Sequence, residues 1–240
     1  MKIEVWSDYV CPFCYIGKRR LDMALEQFPH KDQVVVEFKS FELDPNAPKY
    51  TSGTIHEALA KKYGMSVEQA KQANQGVGQQ AASVGLAFHF DEMKPTNTFD
   101  AHRLEKYAKS QGKEKEVAEK LLYAYFTESK HLGEHEILAD IAAAAGLDRR
   151  KALEVLEDPN AFANDVRLDE DLAQQYGVRG VPFFVINQKY AISGAQPLEA
   201  FTNALEKVWQ EESTAPVFQD LSSEEDVSCT DGSCAIPDKN

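Results

Sequence analysis

Two cysteines three residues apart, in Cys11-Pro12-Phe13-Cys14, carry the strongest chemical signal in this chain of 240 residues. Thiols at positions i and i+3 of a first helical turn share a face, and they can close a disulfide with modest adjustment. The leading N–H groups of a helix lack intrahelical partners, and together with the macrodipole they favour thiolate over thiol at that end. Cys11 is therefore the expected nucleophile and Cys14, one turn deeper, the group that resolves a mixed disulfide. Pro12 suits a first helical position, where a missing N–H costs nothing. The same spacing also serves half of a structural zinc site. Zinc knuckles, however, sit in glycine-rich turns, whereas this pair opens a helix after an apolar strand.

A second pair, Cys229 and Cys234, frames Gly232 near the other end of the chain. Residues 212–228 lie between Glu211 and Cys229, and a flexible linker of that length spans roughly 22 Å, enough to reach the first pair. Three readings stand open for it: a second dithiol exchanging with Cys11 and Cys14, a soft-metal clip, or incidental thiols. His131 and His135 are four apart, but Gly133 between them argues for a loop rather than a ligand-bearing helix, and no metal site is expected. Phe13 and Tyr15 beside the nucleophile offer either an apolar docking surface for substrate or local packing. Leu122, Tyr125 and Phe126 fall at helical spacing and are expected in the core.

Composition narrows the class. Apolar residues make up 43% and charged residues 27%, as in ordinary globular chains, so neither disulfide nor metal is needed for folding. The formal net charge of −13 repels phosphates and anionic lipid head groups, which argues against nucleic-acid and membrane partners. Much of that charge lies in residues 211–240, with eight acids against the single base Lys239. There is no long apolar run, and Met1 leads directly into an alternating strand pattern, so a cytoplasmic location is expected. Cysteines in that compartment are read as redox or metal chemistry rather than structural bridges.

The elements that must position the cysteines follow from period, caps and breakers. Residues 2–7 read as a strand, 11–28 as a helix and 34–41 as a second strand, together a βαβ unit. Strand signals then vanish, and helices are expected over 54–63, 66–84 with a Ser66/Gln69 capping box, 98–110, 114–127, 134–145, 149–157 and 161–176. Strands return at 181–186 and 189–192 around an Asn187-Gln188 turn, and a closing helix follows Pro197. The expected fold class is α/β. A thioredoxin-like domain of residues 1–44 and 177–211 (βαβ then ββα) carries an all-helical insertion of residues 45–176, and residues 212–240 form an acidic flexible tail.

Asp8 to Gly17, read with Gly177-Val178-Arg179-Gly180-Val181-Pro182-Phe183-Phe184, resembles the DsbA-like branch of the thioredoxin superfamily. It is most similar to the FrnE-like subgroup, cytosolic relatives of 2-hydroxychromene-2-carboxylate isomerase and kappa-class glutathione transferase. The resemblance spans about residues 1–210 and includes Asn97-Thr98-Phe99-Asp100-Ala101-His102-Arg103. It implies a cis bond before Pro182 facing the cysteines, a Val181 backbone that pairs with bound substrate, and His102 lining the substrate cleft. The isomerase and transferase relatives carry serine where Cys11 stands, which favours dithiol exchange here. DsbA itself has histidine between its cysteines where this chain has Phe13, which implies a weaker oxidant.

These readings converge on a thiol:disulfide oxidoreductase, with isomerase activity as a further capacity, acting on protein, peptide or small-molecule disulfides through Cys11 and Cys14. No cofactor is needed beyond an external thiol reductant. The alternatives are a glutathione-dependent isomerase or transferase, and a noncatalytic thiolate metal-binding protein. Oligomeric state is not legible in the sequence.

Overall fold

The computed structural model describes residues 1–213 together with 229–230 and 233–234. Strand β1 (Lys2–Ser7) leads into helix α1 (Pro12–Gln27), and β2 (Val35–Ser40) returns parallel to β1. Seven helices follow: α2 (Ile55–Tyr63), α3 (Val67–Ala82), α4 (Phe99–Ser110), α5 (Glu114–Phe126), α6 (His135–Ala144), α7 (Arg149–Glu157) and α8 (Ala163–Gln175). The chain then forms the antiparallel pair β3 (Phe183–Ile186) and β4 (Tyr190–Ser193), and α9 (Leu198–Ser213) packs beside α1. The sheet order is β2-β1-β3-β4, with β3 antiparallel to β1.

Local chemistry explains most boundaries. Thr54 with Glu57 and Ser66 with Gln69 form reciprocal capping boxes that start α2 and α3, and Gly64 ends α2 in the left-handed region at φ 65°. Asn187 and Gln188 both lie at positive φ (51° and 54°), the geometry a tight hairpin turn demands. Two of the boundaries that shift have a plain local cause. The third strand starts at Phe183 rather than 181, since Pro182 has no N–H to give the ladder. Helix α8 starts at Ala163 rather than 161 because Phe162 sits in the left-handed region at φ 58°.

One hydrophobic core runs from the sheet into the helical block. It joins Ile3, Val5, Phe38 and Phe184 to Leu104, Leu121, Tyr125 and Leu138. Leu122, Tyr125 and Phe126 are buried within it, as their spacing predicts. A smaller cluster on the other sheet face packs Trp6 and Val185 against Ala173 of α8, and the Trp6 indole N–H donates to the Asp169 carbonyl at 2.9 Å.

The tail beyond Ser213 lies outside the described residues, and with it the expectation of flexibility, save for two short strands. These are β5 (Cys229–Thr230) and β6 (Ser233–Cys234), an antiparallel pair in which Cys229 stands opposite Cys234.

Candidate active site

Cys11 is the N-cap of α1, with Pro12 opening the helix and Cys14 one turn in, whose N–H donates to the Cys11 carbonyl at 3.0 Å. The helix therefore begins one residue later than its sequence pattern suggests, and Cys11 stands in extended backbone at the convergence of the leading amides. The two cysteines are free and approach to 3.3 Å. Their burial differs: Cys11 is 5% exposed and Cys14 is 1% exposed. The Cys14 sulfur accepts the Asp8 N–H at 3.5 Å. Burial first, and then the neighbouring Cys11, push the Cys14 thiol well above its ordinary pKa.

Across from α1 the Val181–Pro182 peptide is cis, as the resemblance implies, and the Cys11 thiol donates to the Val181 carbonyl at 3.6 Å. This loop can approach because α1 carries glycine at position 17. A Cβ there would lie 3.0 Å from Pro182 Cγ and 3.2 Å from the Phe184 ring. Gly17 is thus a positioning residue that sequence reasoning missed, since no turn or positive φ marks it.

A cavity of about 420 Å³ opens beside the loop, lined by Arg179, Val181, Pro182, Phe183, Ser193 and Gly194 among others. Val181, whose carbonyl takes the Cys11 thiol, is among the residues that line it. Phe13 is 39% exposed on the surface beside the cysteines, while Tyr15 is buried, its hydroxyl donating to Glu119 at 2.7 Å. Of the two aromatics considered for docking, only Phe13 has surface to offer.

His102 does not line the cleft. It is 1% exposed, packed against the Tyr9 ring at 4.9 Å, with Nε2 at 3.4 Å from Asp8 Oδ1. Helix α4 inserts it behind the cysteine loop because the helix is buried on nearly all sides and has no solvent face at that position. Its neighbour Arg103 is also buried, and it donates to Asp100 and to the carbonyls of Val155, Leu156, Asp158 and Ala161. His131 stacks on Tyr50 at 5.1 Å and His135 pairs with Asp100 at 2.9 Å. Among the described residues no group of three metal-ligating side chains gathers.

The sheet order, the helix that opens on a cysteine pair and the facing cis-proline loop together define a thioredoxin-type fold with its thiol site beyond the C-terminal end of the interior strand β1. Residues 2–206 match the DSBA-like thioredoxin domain, and the chain belongs to that family, whose members are thiol oxidoreductases. It is similar to a probable DsbA oxidoreductase from Streptomyces coelicolor. The two are 40% identical, with a TM-score of 0.84, covering 99% of this chain and 100% of that one. The protein YwbO of Bacillus subtilis (strain 168) is 28% identical over 204 residues, 85% of this chain and 94% of that protein. A 2-hydroxychromene-2-carboxylate isomerase shares the fold at a TM-score of 0.66 and 17% identity, covering 93% of this chain and all of that one.

Proposed function

We propose that this chain is a thiol:disulfide oxidoreductase that works through Cys11 and Cys14 in the cytoplasm. The observation that carries the reading is the approach of two free cysteines to 3.3 Å at the opening of α1, with the Val181 carbonyl on the outer one. The Cys11 thiolate attacks a substrate disulfide, one substrate thiolate leaves, and a Cys11 mixed disulfide forms. Cys14 then displaces the second substrate thiolate and the Cys11–Cys14 disulfide closes. An external thiol returns the pair to the dithiol, so no cofactor enters the cycle. Protein, peptide and small-molecule disulfides are the substrate classes of this reading, supported by an open cavity at Val181 and by the exposed Phe13 between the cysteines. No helix among the described residues is long and apolar enough to cross a membrane.

The test is to equilibrate the protein across a graded thiol:disulfide buffer, quench with acid, alkylate and weigh it. Reversible two-electron oxidation confined to Cys11 and Cys14, with Cys14→Ser trapping a mixed disulfide on Cys11, is the expected result. A pair that stays reduced while glutathione binds noncovalently would instead favour the isomerase or transferase reading, and stoichiometric zinc the metal-binding one. The in-register backbone pairing of Cys229 and Cys234 is compatible with a second dithiol. Replacing both by serine should then slow turnover of the first pair, and unchanged turnover removes that role.

A further inference from the structure

We propose that Arg179, with the loop N–H groups beside it, forms a subsite for a carboxylate of the incoming disulfide. The inference names a substrate class for the oxidoreductase reading above and rests on it. The cysteine pair and the Val181 carbonyl meet only the sulfur and backbone that every peptide disulfide shares. Discrimination between one disulfide and another has to come from the groups around them.

Among the described residues that line the cavity at Val181, Arg179 alone is charged. Gly177, Gly180 and Gly194 form much of the remaining wall, so bare backbone rather than side chains flanks the guanidinium. The chain has a formal net charge of −13, and acids are plentiful over its surface. Its other arginines are all tied to carboxylates or carbonyls, as Arg167 is to Glu42 and Glu170 and Arg20 to the Ala195 carbonyl. Arg179 is the exception: it has neither an ion pair nor a hydrogen bond among the described residues. An unpaired guanidinium in an open cavity of an acidic protein is a group kept available for an anion from outside.

The backbone supplies a second, independent observation. The N–H groups of Tyr176, Gly177 and Val178 close the end of α8 on the carbonyls of Leu172, Gln174 and Ala173. The next three, those of Arg179, Gly180 and Val181, find no acceptor among the described residues. The Val181 N–H is accounted for if its backbone pairs with an extended substrate. The Arg179 and Gly180 N–H groups remain, together with the Ser193 hydroxyl of the same cavity, which also has no hydrogen bond among the described residues. Successive unpaired N–H groups beside a guanidinium make the donor set a carboxylate takes up, because it accepts several hydrogen bonds at once and an arginine fork binds it in two. Two steps along the chain put the Arg179 Cα at most about 7.6 Å from that of Val181. A carboxylate on a residue adjoining the half-cystine therefore falls within reach, the arrangement found in glutathione and in acidic cysteine peptides.

The experiment compares disulfides with and without carboxylates. The reduced full-length protein is mixed in turn with glutathione disulfide, its tetraethyl ester and hydroxyethyl disulfide, then acid-quenched and alkylated. The rate at which the peptide holding Cys11 and Cys14 loses its free thiols is read by mass. In Arg179→Gln the rate with glutathione disulfide should fall about tenfold, the scale of one charge-assisted hydrogen bond at a partly open site. The rates with the ester and with hydroxyethyl disulfide, which carry no carboxylate, should stay as they are. Arg179→Lys keeps the charge but loses the fork and should fall in between. The disulfide of a Glu-Cys peptide blocked at both ends separates the sources of the carboxylate: the same dependence on residue 179 extends the subsite to peptide and protein side chains, and its absence confines the subsite to the small disulfide. Unchanged rates with all three compounds in Arg179→Gln would overturn the inference, as would an equal fall in all three, which marks an effect on the loop itself. If the unsubstituted chain is oxidised by none of them, the oxidoreductase reading falls. If it is oxidised by all of them with no dependence on residue 179, only this inference does.

Discussion

Glu114, at the start of α5, shows how far a single residue's chemistry depends on what folds around it. Burial, and then the nearby Glu105 carboxylate, raise its pKa to about 7, with Lys109 and Lys106 pulling the other way. The nearest cation, Lys109 Nζ, stays 3.8 Å from an oxygen that has no hydrogen bond. The folded-state value lies above the unfolded one of about 4.3. The native protein therefore binds the proton more tightly, and stability falls as pH rises from there through about 7. Glu114→Gln should raise the melting temperature at about pH 8 and change it little at about pH 5. Equal shifts at both values would mean that the carboxylate is not protonated in the fold. A sequence shows Glu114 only as an acid in a first helical turn, a favourable place on a solvated helix.

At the scale of elements, the capping boxes at Thr54 and Ser66 and the Asn187-Gln188 turn were legible because their hydrogen bonds are local. Helix α4 was legible as a helix but not as a buried one. The resemblance put His102 of its His102-Arg103 step at the substrate cleft, yet Arg103 is fully enclosed and ties α4 to the end of α7 and the turn into α8 through four carbonyls and Asp100. Removing the guanidinium takes a buried donor from those carbonyls, of which only that of Asp158 keeps a recorded second donor, the Ala161 N–H, so Arg103→Met should cost on the order of 3–5 kcal/mol. Chemical denaturation reads that loss. A cost below about 1 kcal/mol would show that water replaces the guanidinium without penalty.

At the scale of the molecule, the division into a sheet domain and an inserted helical domain has to be weighed against a core that does not divide. Ile3 and Phe184 of the sheet belong to the same packed cluster as Leu121 and Leu138 of the helices. His102 of α4 also reaches the loop that holds the cysteines. The two parts should therefore unfold together: calorimetry should give one transition whose van't Hoff and calorimetric enthalpies agree. Two resolved transitions would restore the inserted block as an independent domain.

The sequence alone determined the order of elements and the helix that opens on a cysteine pair, because these follow from periodicity, capping and residue spacing over short stretches of chain; the family resemblance rested on the motifs around Cys11 and Pro182. The close approach of Gly17 to the Pro182 loop, the cavity that Val181 helps to line and the burial of His102 beside Asp8 were decided only by tertiary structure. Each is a meeting of segments far apart in the chain. Such a meeting depends on how whole helices pack against the sheet, which no local pattern of residues records.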